Sequence, residues 1–172
     1  QGGDQPELAD AGDGVDQAVR VGLLNFGGNR VDEAQHGARV FTAFFLLFTV
    51  VMPFERLFMA ADRLGRSEGG RLPVLLIHGY QCNRGFWVSL RGRLERAGWQ
   101  AATISLGPVF NDIDGYVEQV SRRIDEVCAA AGTEQVILVG HSMGGLVSRA
   151  YLRRHGNGKV AKLVTLGSPH HG

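Results

Sequence analysis

Residues 140–145 read Gly-His-Ser-Met-Gly-Gly, a Gly-x-Ser-x-Gly pattern that carries one serine hydroxyl suited to attack a carbonyl carbon. In this nucleophile elbow, a sharp turn between a strand and a helix holds the Ser142 hydroxyl above the sheet. Glycine is required at Gly140 and Gly144 because a side chain there would collide with the neighbouring strand and helix. The pattern therefore predicts Ser142 as a catalytic nucleophile.

The residues on either side of the motif predict the strand and the helix that such a turn needs. An apolar run at 135–139 precedes it and is typical of a strand buried on both faces of a parallel sheet. After the motif, apolar residues recur at helical spacing, arginines occupy the outer face, and Gly156 is placed to end the helix.

Further elements alternate along the rest of the chain. Strands are predicted at 72–77, 101–106 and 160–166, and helices at 86–97 and from Asp112 to about Gly132. Short connections between alternating strands and helices predict an α/β fold whose parallel sheet has helices on both faces. The first helix is predicted to expose its charged residues, namely Arg91, Arg93, Glu95 and Arg96.

The first 60 residues have a different composition. Residues 1–37 contain seven acidic residues and eight glycines, and predict a disordered tail. Residues 40–54 carry no charge, and six of the nine phenylalanines lie between positions 41 and 58. As a helix this run is about 22 Å long, short of the ~30 Å hydrocarbon core of a bilayer. An apolar helix at 38–60 is therefore expected as a membrane anchor, the alternative being a buried helix or lid, followed by a linker at 61–71.

Charge and cysteine content exclude some classes of protein. The net charge of +1 gives no electrostatic case for binding nucleic acid. Cys82 and Cys128 are expected to be free thiols rather than a disulfide framework. No metal ligands and no cofactor are predicted.

Three motifs together carry a resemblance to a known family. His78-Gly79-Tyr80, the elbow motif and the sequence Thr-Leu-Gly-Ser-Pro-His-His-Gly at 165–172 resemble bacterial lipases and esterases of the α/β-hydrolase superfamily, over residues 72–172. The resemblance implies hydrolysis of acyl esters or lipids by a Ser-His-Asp triad. It implies Ser142 as nucleophile and an oxyanion hole formed by the backbone N–H groups of Tyr80 and Met143. Motif residues expected to support these groups are His78, Gly79, Gly140, His141 and Gly144.

The resemblance also implies a sheet that begins at the family's third strand, with spatial order 4-3-5-6. No Asp or Glu follows Ser142 within the 172 residues, whereas the family's acid and histidine follow the nucleophile. The loop histidines His170 and His171 are expected to shape the cleft. The chain is thus expected to be the N-terminal part of a hydrolase, truncated after the sixth family strand and inactive by itself.

Two classes of function stay open at this point. The first is a serine ester hydrolase at a membrane, either in the bacterial cell envelope or at the cytoplasmic face. The second is an acyltransferase, or a non-catalytic membrane-tethered module with a hydrolase fold. An Asp and a His downstream in the gene would favour the first class.

Overall fold

The computed structural model describes residues 39, 41–43, 45–46, 49–50, 52–67 and 70–170. The tail predicted at 1–37 and the loop residue His171 lie outside the described residues. Within the described part of the chain, the fold consists of one sheet with helices on both of its faces.

Four parallel strands form one sheet in the order β2-β1-β3-β4. The strands are β1 (Val74–Ile77), β2 (Ala101–Ile104), β3 (Val136–His141) and β4 (Val160–Leu166). This order confirms the predicted 4-3-5-6 arrangement. The central strand β1 is buried along its whole length, as expected of an apolar strand with a partner on each side.

Helices cover both faces of the sheet. They are α1 (Glu55–Phe58), α2 (Val88–Arg96), α3 (Ile113–Ala131) and α4 (Met143–His155), with a single 3₁₀ turn at Arg84–Trp87 directly before α2. The predicted caps of α3 are confirmed. The Asp112 carboxylate accepts a hydrogen bond from Gly115 N at 2.5 Å, and Gly132 ends the helix in a left-handed conformation.

The hydrophobic core has two layers because side chains alternate along β1. Leu75 and Ile77 pack against α3 and α4, whereas Val74 and Leu76 pack on the opposite face with Trp87 and α2. Cys82 and Cys128 are both free, as predicted. This layered arrangement confirms the predicted fold class and presents the carboxyl ends of the strands at one edge of the sheet.

The apolar segment near the N-terminus is only partly described. Its described residues from 39 to 46 have helical backbone, and several apolar side chains there are exposed, among them Phe41 (69%) and Phe45 (55%). In the portion of the chain that the structure covers, no helix combines the length and the apolar character needed to cross a bilayer. Farther along, Met52 and Met59 are buried.

One charged residue of α2 lies where the sequence did not place it. Arg91 was predicted on the exposed face of the helix, and this is wrong: it is 5% exposed and its guanidinium pairs with the Asp62 carboxylate at 2.9 Å. Arg91 follows Trp87 by four residues and so continues the buried stripe of the helix by one turn. Asp62 itself belongs to the segment predicted as a linker.

Candidate active site

Ser142 occupies the turn between β3 and α4 in an unusual backbone conformation. Its φ of +50° and ψ of −118° form a combination that residues other than glycine rarely adopt. The Ser142 N–H donates to Leu166 O of the neighbouring strand at 2.9 Å, and Ser142 O accepts from Gly145 N at 3.1 Å. Such strain persists only where surrounding contacts impose it, and it is concentrated at functional sites.

The glycines of the motif allow this turn because other backbone fills the space of their missing side chains. A Cβ built on Gly140 would lie 2.6 Å from Gly145 N. A Cβ on Gly144 would collide with Ile77 O and lie 2.6 Å from His78 O, both at the end of β1. The start of α4 therefore packs directly against the end of β1.

The loop that follows β1 lies against the serine. A Cβ on Gly79 would be 3.1 Å from Ser142 Cβ and 3.0 Å from His141 Nδ1. Tyr80 is the next residue, and Met143 is the first residue of α4, where helical N–H groups have no partner within the helix. The residues expected to form the oxyanion hole thus adjoin Ser142 in the chain or through the Gly79 contact.

His78 is buried and both of its ring nitrogens are engaged. Its Nε2 accepts a hydrogen bond from Leu106 N at 2.9 Å, which leaves the proton on Nδ1 to be donated to Gly79 O at 2.8 Å. A ring nitrogen that accepts a hydrogen bond belongs to a neutral imidazole, and burial lowers the pKa of His78 in the same sense. The residue joins the loops after β1 and β2 and has no nitrogen left for proton transfer.

His141 is the residue that precedes the serine, and it is held by aromatic rings. Its ring stacks on Phe86 at 4.5 Å between centroids, with Trp87 at 6.4 Å in an edge contact. Its Nδ1 is buried and has no hydrogen-bond partner among the described residues, and burial lowers the pKa of the ring. His141 therefore packs on the ring of Phe86 directly before the strained turn.

His170 is the described histidine of the last loop, and it is bonded away from the serine. Its Nδ1 lies 3.0 Å from Arg149 Nη1 and its Nε2 lies 3.0 Å from Thr165 Oγ1. Because the guanidinium only donates, Nδ1 is the acceptor and Nε2–H donates to the threonine. Within the described residues, no hydrogen bond joins a histidine to the Ser142 hydroxyl.

Two aromatic residues near the site were not predicted to take part in it. Phe86 was assigned only to the apolar face of a helix, yet it stacks on His141. Phe110 is 80% exposed and makes an edge contact with the exposed Tyr80 ring at 6.3 Å between centroids. In the sequence, the signal for the second contact was a phenylalanine, Phe110, two residues before the helix cap Asp112.

The chain is similar to known hydrolases over its C-terminal part. The family model described as palmitoyl protein thioesterase matches residues 73–172. A triacylglycerol lipase of Burkholderia plantarii is 34% identical over 122 residues, which cover 66% of this chain and 33% of the lipase. A triacylglycerol lipase of Pseudarthrobacter phenanthrenivorans is 34% identical over 110 residues, covering 59% of this chain and 34% of that protein. The chain spans about a third of the length of these curated relatives.

The solved structures give the same likeness. The mature form of the Bacillus licheniformis lipase BlEst2 superposes with a TM-score of 0.56 and 27% identity, covering 66% of this chain and 47% of the lipase. An esterase from Exiguobacterium antarcticum, at 23% identity and a TM-score of 0.52, shares the fold over 62% of this chain and 40% of its own.

Proposed function

This chain belongs to the palmitoyl protein thioesterase family, within the α/β-hydrolase superfamily of lipases and esterases, and we propose that its protein hydrolyses acyl esters with Ser142 as nucleophile. The observation that carries the proposal is the strained turn at Ser142 between β3 and α4. A serine held at positive φ by glycine packing on both sides keeps its hydroxyl clear of the helix that follows.

The chemistry follows from this placement. Ser142 Oγ bonds to the carbonyl carbon of the substrate, the C=O π electrons move to oxygen, and a general base takes the hydroxyl proton. The N–H groups of Tyr80 and Met143 donate to the resulting oxyanion. Collapse breaks the bond to the leaving group, which takes up the proton, and water then releases the acid by the same route.

The general base is not assigned to any described histidine. Both ring nitrogens of His78 are bonded, and so are both ring nitrogens of His170. The rings of His141 and His155 each stack on an aromatic side chain. A serine hydroxyl without a base is a weak nucleophile near neutral pH. The proposal therefore concerns the whole protein rather than the described residues alone.

The substrate class proposed is an acyl ester or lipid. The matching family model is described as palmitoyl protein thioesterase, so acyl thioesters are a related substrate class. Their hydrolysis passes through the same kind of tetrahedral intermediate, with sulfur instead of oxygen in the leaving group. The acyltransferase and non-catalytic alternatives are not favoured by the comparisons.

The test is the turnover of p-nitrophenyl esters and of matched acyl thioesters by the whole protein. Removing a triad serine lowers kcat by a factor on the order of 10⁶, so Ser142→Ala is expected to abolish turnover. Ser89→Ala, which alters an exposed serine on α2, is the matched control and should leave it unchanged. Equal turnover by wild type and Ser142→Ala would contradict the assignment.

We also propose that residues 40–58 bind the surface of a membrane. Support comes from the exposed apolar side chains of this segment, among them Phe41 (69%), Phe45 (55%) and Leu57 (80%). Exposed apolar side chains mark interaction surfaces when they cluster, and apolar segments shorter than a bilayer span bind membranes by lying in the interface.

Cosedimentation with phosphatidylcholine vesicles tests this second proposal. Burial of a phenylalanine ring changes binding by about tenfold or more, so Phe41→Ser with Phe45→Ser should strongly reduce the bound fraction. Phe110→Ser, at a residue that is 80% exposed outside the segment, should bind like wild type. Failure of the wild-type protein to sediment with vesicles would contradict the proposal.

A further inference from the structure

The carboxylate of Asp62 is buried within a cluster of basic and polar groups. The side chain is 4% exposed and pairs with Arg91 at 2.9 Å and with Arg123 at 2.6 Å. It also accepts hydrogen bonds from Thr103 N at 2.8 Å and Thr103 Oγ1 at 3.0 Å. Charge-assisted bonds from two helices and β2 fix the position of this carboxylate, and of the backbone that carries it.

The backbone just before Asp62 in turn holds the residue that ends the loop after β1. Ala60 O accepts hydrogen bonds from Arg84 Nη2 at 2.6 Å and from Arg91 Nη1 at 2.9 Å, and Ala61 O accepts from Arg91 Nη2 at 2.8 Å. Arg84 also lies 3.8 Å from the Asp62 carboxylate. The loop between Gly79 and Arg84 is thus attached at its far end to the segment around Asp62.

The loop itself is under strain and has a second attachment. Gln81 has a φ of +54°, in the left-handed region that favours glycine. Asn83 Nδ2 donates to Met52 O at 2.7 Å, and Asn83 Oδ1 accepts from Gly85 N at 3.0 Å. At its near end, Gly79 packs against Ser142. Residues 79–83 therefore keep their shape through contacts at both ends.

We propose that Asp62 is a positioning residue for the reaction: through Ala60 and Arg84 it holds the loop that aims the Tyr80 N–H at the oxyanion. The inference rests on the proposed function. An oxyanion donor works only at the right distance and angle, and a misplacement of about 1 Å lowers the rate by up to a hundredfold. Asp62 touches neither the substrate nor Ser142 and acts through the loop alone.

The experiment measures kcat and KM of the whole protein for a p-nitrophenyl ester, at a temperature where circular dichroism shows each variant folded. Arg84→Met removes the contact between the Asp62 segment and the loop, and it should lower kcat about tenfold or more with little change in KM. Arg123→Met is the matched control, because Arg123 contacts the same carboxylate but no residue of the loop. It should lower the melting temperature and leave kcat unchanged.

Asp62→Asn is expected to lower both kcat and the melting temperature, because it leaves several arginines without their counter-charge. Should this variant not fold, the comparison of Arg84→Met with Arg123→Met decides the matter. Wild-type kcat in folded Arg84→Met would overturn the inference. So would an equal loss of kcat in both arginine variants, since that result indicates a purely structural role.

Ser142→Ala in the same assay separates this inference from the function on which it rests. Full turnover by Ser142→Ala would mean that the proposed function has failed. Loss of turnover by Ser142→Ala, together with wild-type kcat in Arg84→Met, would mean that only the role of Asp62 has failed.

Discussion

The turn at Ser142 and the loop at Tyr80 lie against each other, but they are held in different ways. The turn is enforced mainly by close backbone packing, since a side chain at Gly140 or Gly144 would force β3, α4 and β1 apart. The loop is held through Arg84 and Asn83 by backbone more than 20 residues away along the chain. Two structures that must cooperate thus depend on steric packing of backbone in one case and on polar side-chain contacts in the other.

The largest expected effect comes from disturbing the backbone packing around the Ser142 turn. Gly144→Ala places a methyl group against Ile77 O and His78 O, which are buried backbone atoms at and just after the end of β1 and cannot give way cheaply. Overpacking of this kind costs about 1–3 kcal/mol or more in the free energy of unfolding, and it should also displace Ser142. We expect esterase activity to fall at least a hundredfold in the whole protein, because a small misplacement of reacting groups has this effect.

Gly92→Ala is the matched control for that substitution. Gly92 lies within α2, and no atom lies within 4 Å of a Cβ built there. Alanine is favoured over glycine inside a helix by about 0.5–1 kcal/mol, so this variant should be slightly stabilised and fully active. A Gly144→Ala protein as active and stable as Gly92→Ala would contradict the steric account of the turn.

The His78 side chain joins the loop after β1 to the loop after β2, and its removal should have the next largest effect. His78→Ala leaves Leu106 N and Gly79 O without their partners in a buried place. Each unsatisfied buried group costs about 1–3 kcal/mol, so the free energy of unfolding measured in urea should fall by about 2–6 kcal/mol. His155→Ala, at an exposed histidine of α4, serves as the control, and an equal loss in both variants would show that the bonds of His78 are not what matters.

The pH dependence of stability also tests the role of the buried His78 ring. Burial lowers the pKa of His78 below its ordinary value of 6.5; nearby Glu55 opposes this shift and His141 adds to it. As the pH falls below 6.5, the unfolded chain binds a proton that the folded protein does not, so stability falls by at most about 1.4 kcal/mol per pH unit for this group. Urea midpoints at about pH 7.5 and about pH 5.5 should differ more in wild type than in His78→Gln. An identical difference would assign the acid sensitivity to other groups.

The smallest effect is expected from relieving strain in the loop. Gln81→Gly removes the penalty of a left-handed residue, about 1–2 kcal/mol, but frees the unfolded chain by about 0.4–1 kcal/mol. Because Asn83 and Arg84 still hold the loop, the free energy of unfolding should change by less than about 1 kcal/mol. A loss much larger than this would mean that the Gln81 side chain itself stabilises the loop.

The sequence alone could predict local elements and the order of the strands, but not the polar contacts between distant residues. The strand before Ser142, the caps of α3 at Asp112 and Gly132, and the strand order are confirmed, because each follows from neighbouring residues or from a resemblance in motif order. Arg91 was wrongly predicted as exposed, and the burial of Asp62 was not predicted, since a charged residue is normally exposed. Only the folded chain brings that carboxylate and those guanidinium groups together.

The central claim is that Ser142 is the nucleophile, and covalent labelling of the whole protein tests it most directly. A fluorophosphonate ester reacts with an activated serine to form a stable tetrahedral adduct that occupies the oxyanion hole. We expect one adduct per protein by intact mass, mapped by peptide mass spectrometry to Ser142. The adduct should be absent in Ser142→Ala and present in Ser89→Ala. An adduct on another residue, or labelling that persists in Ser142→Ala, would contradict the central claim.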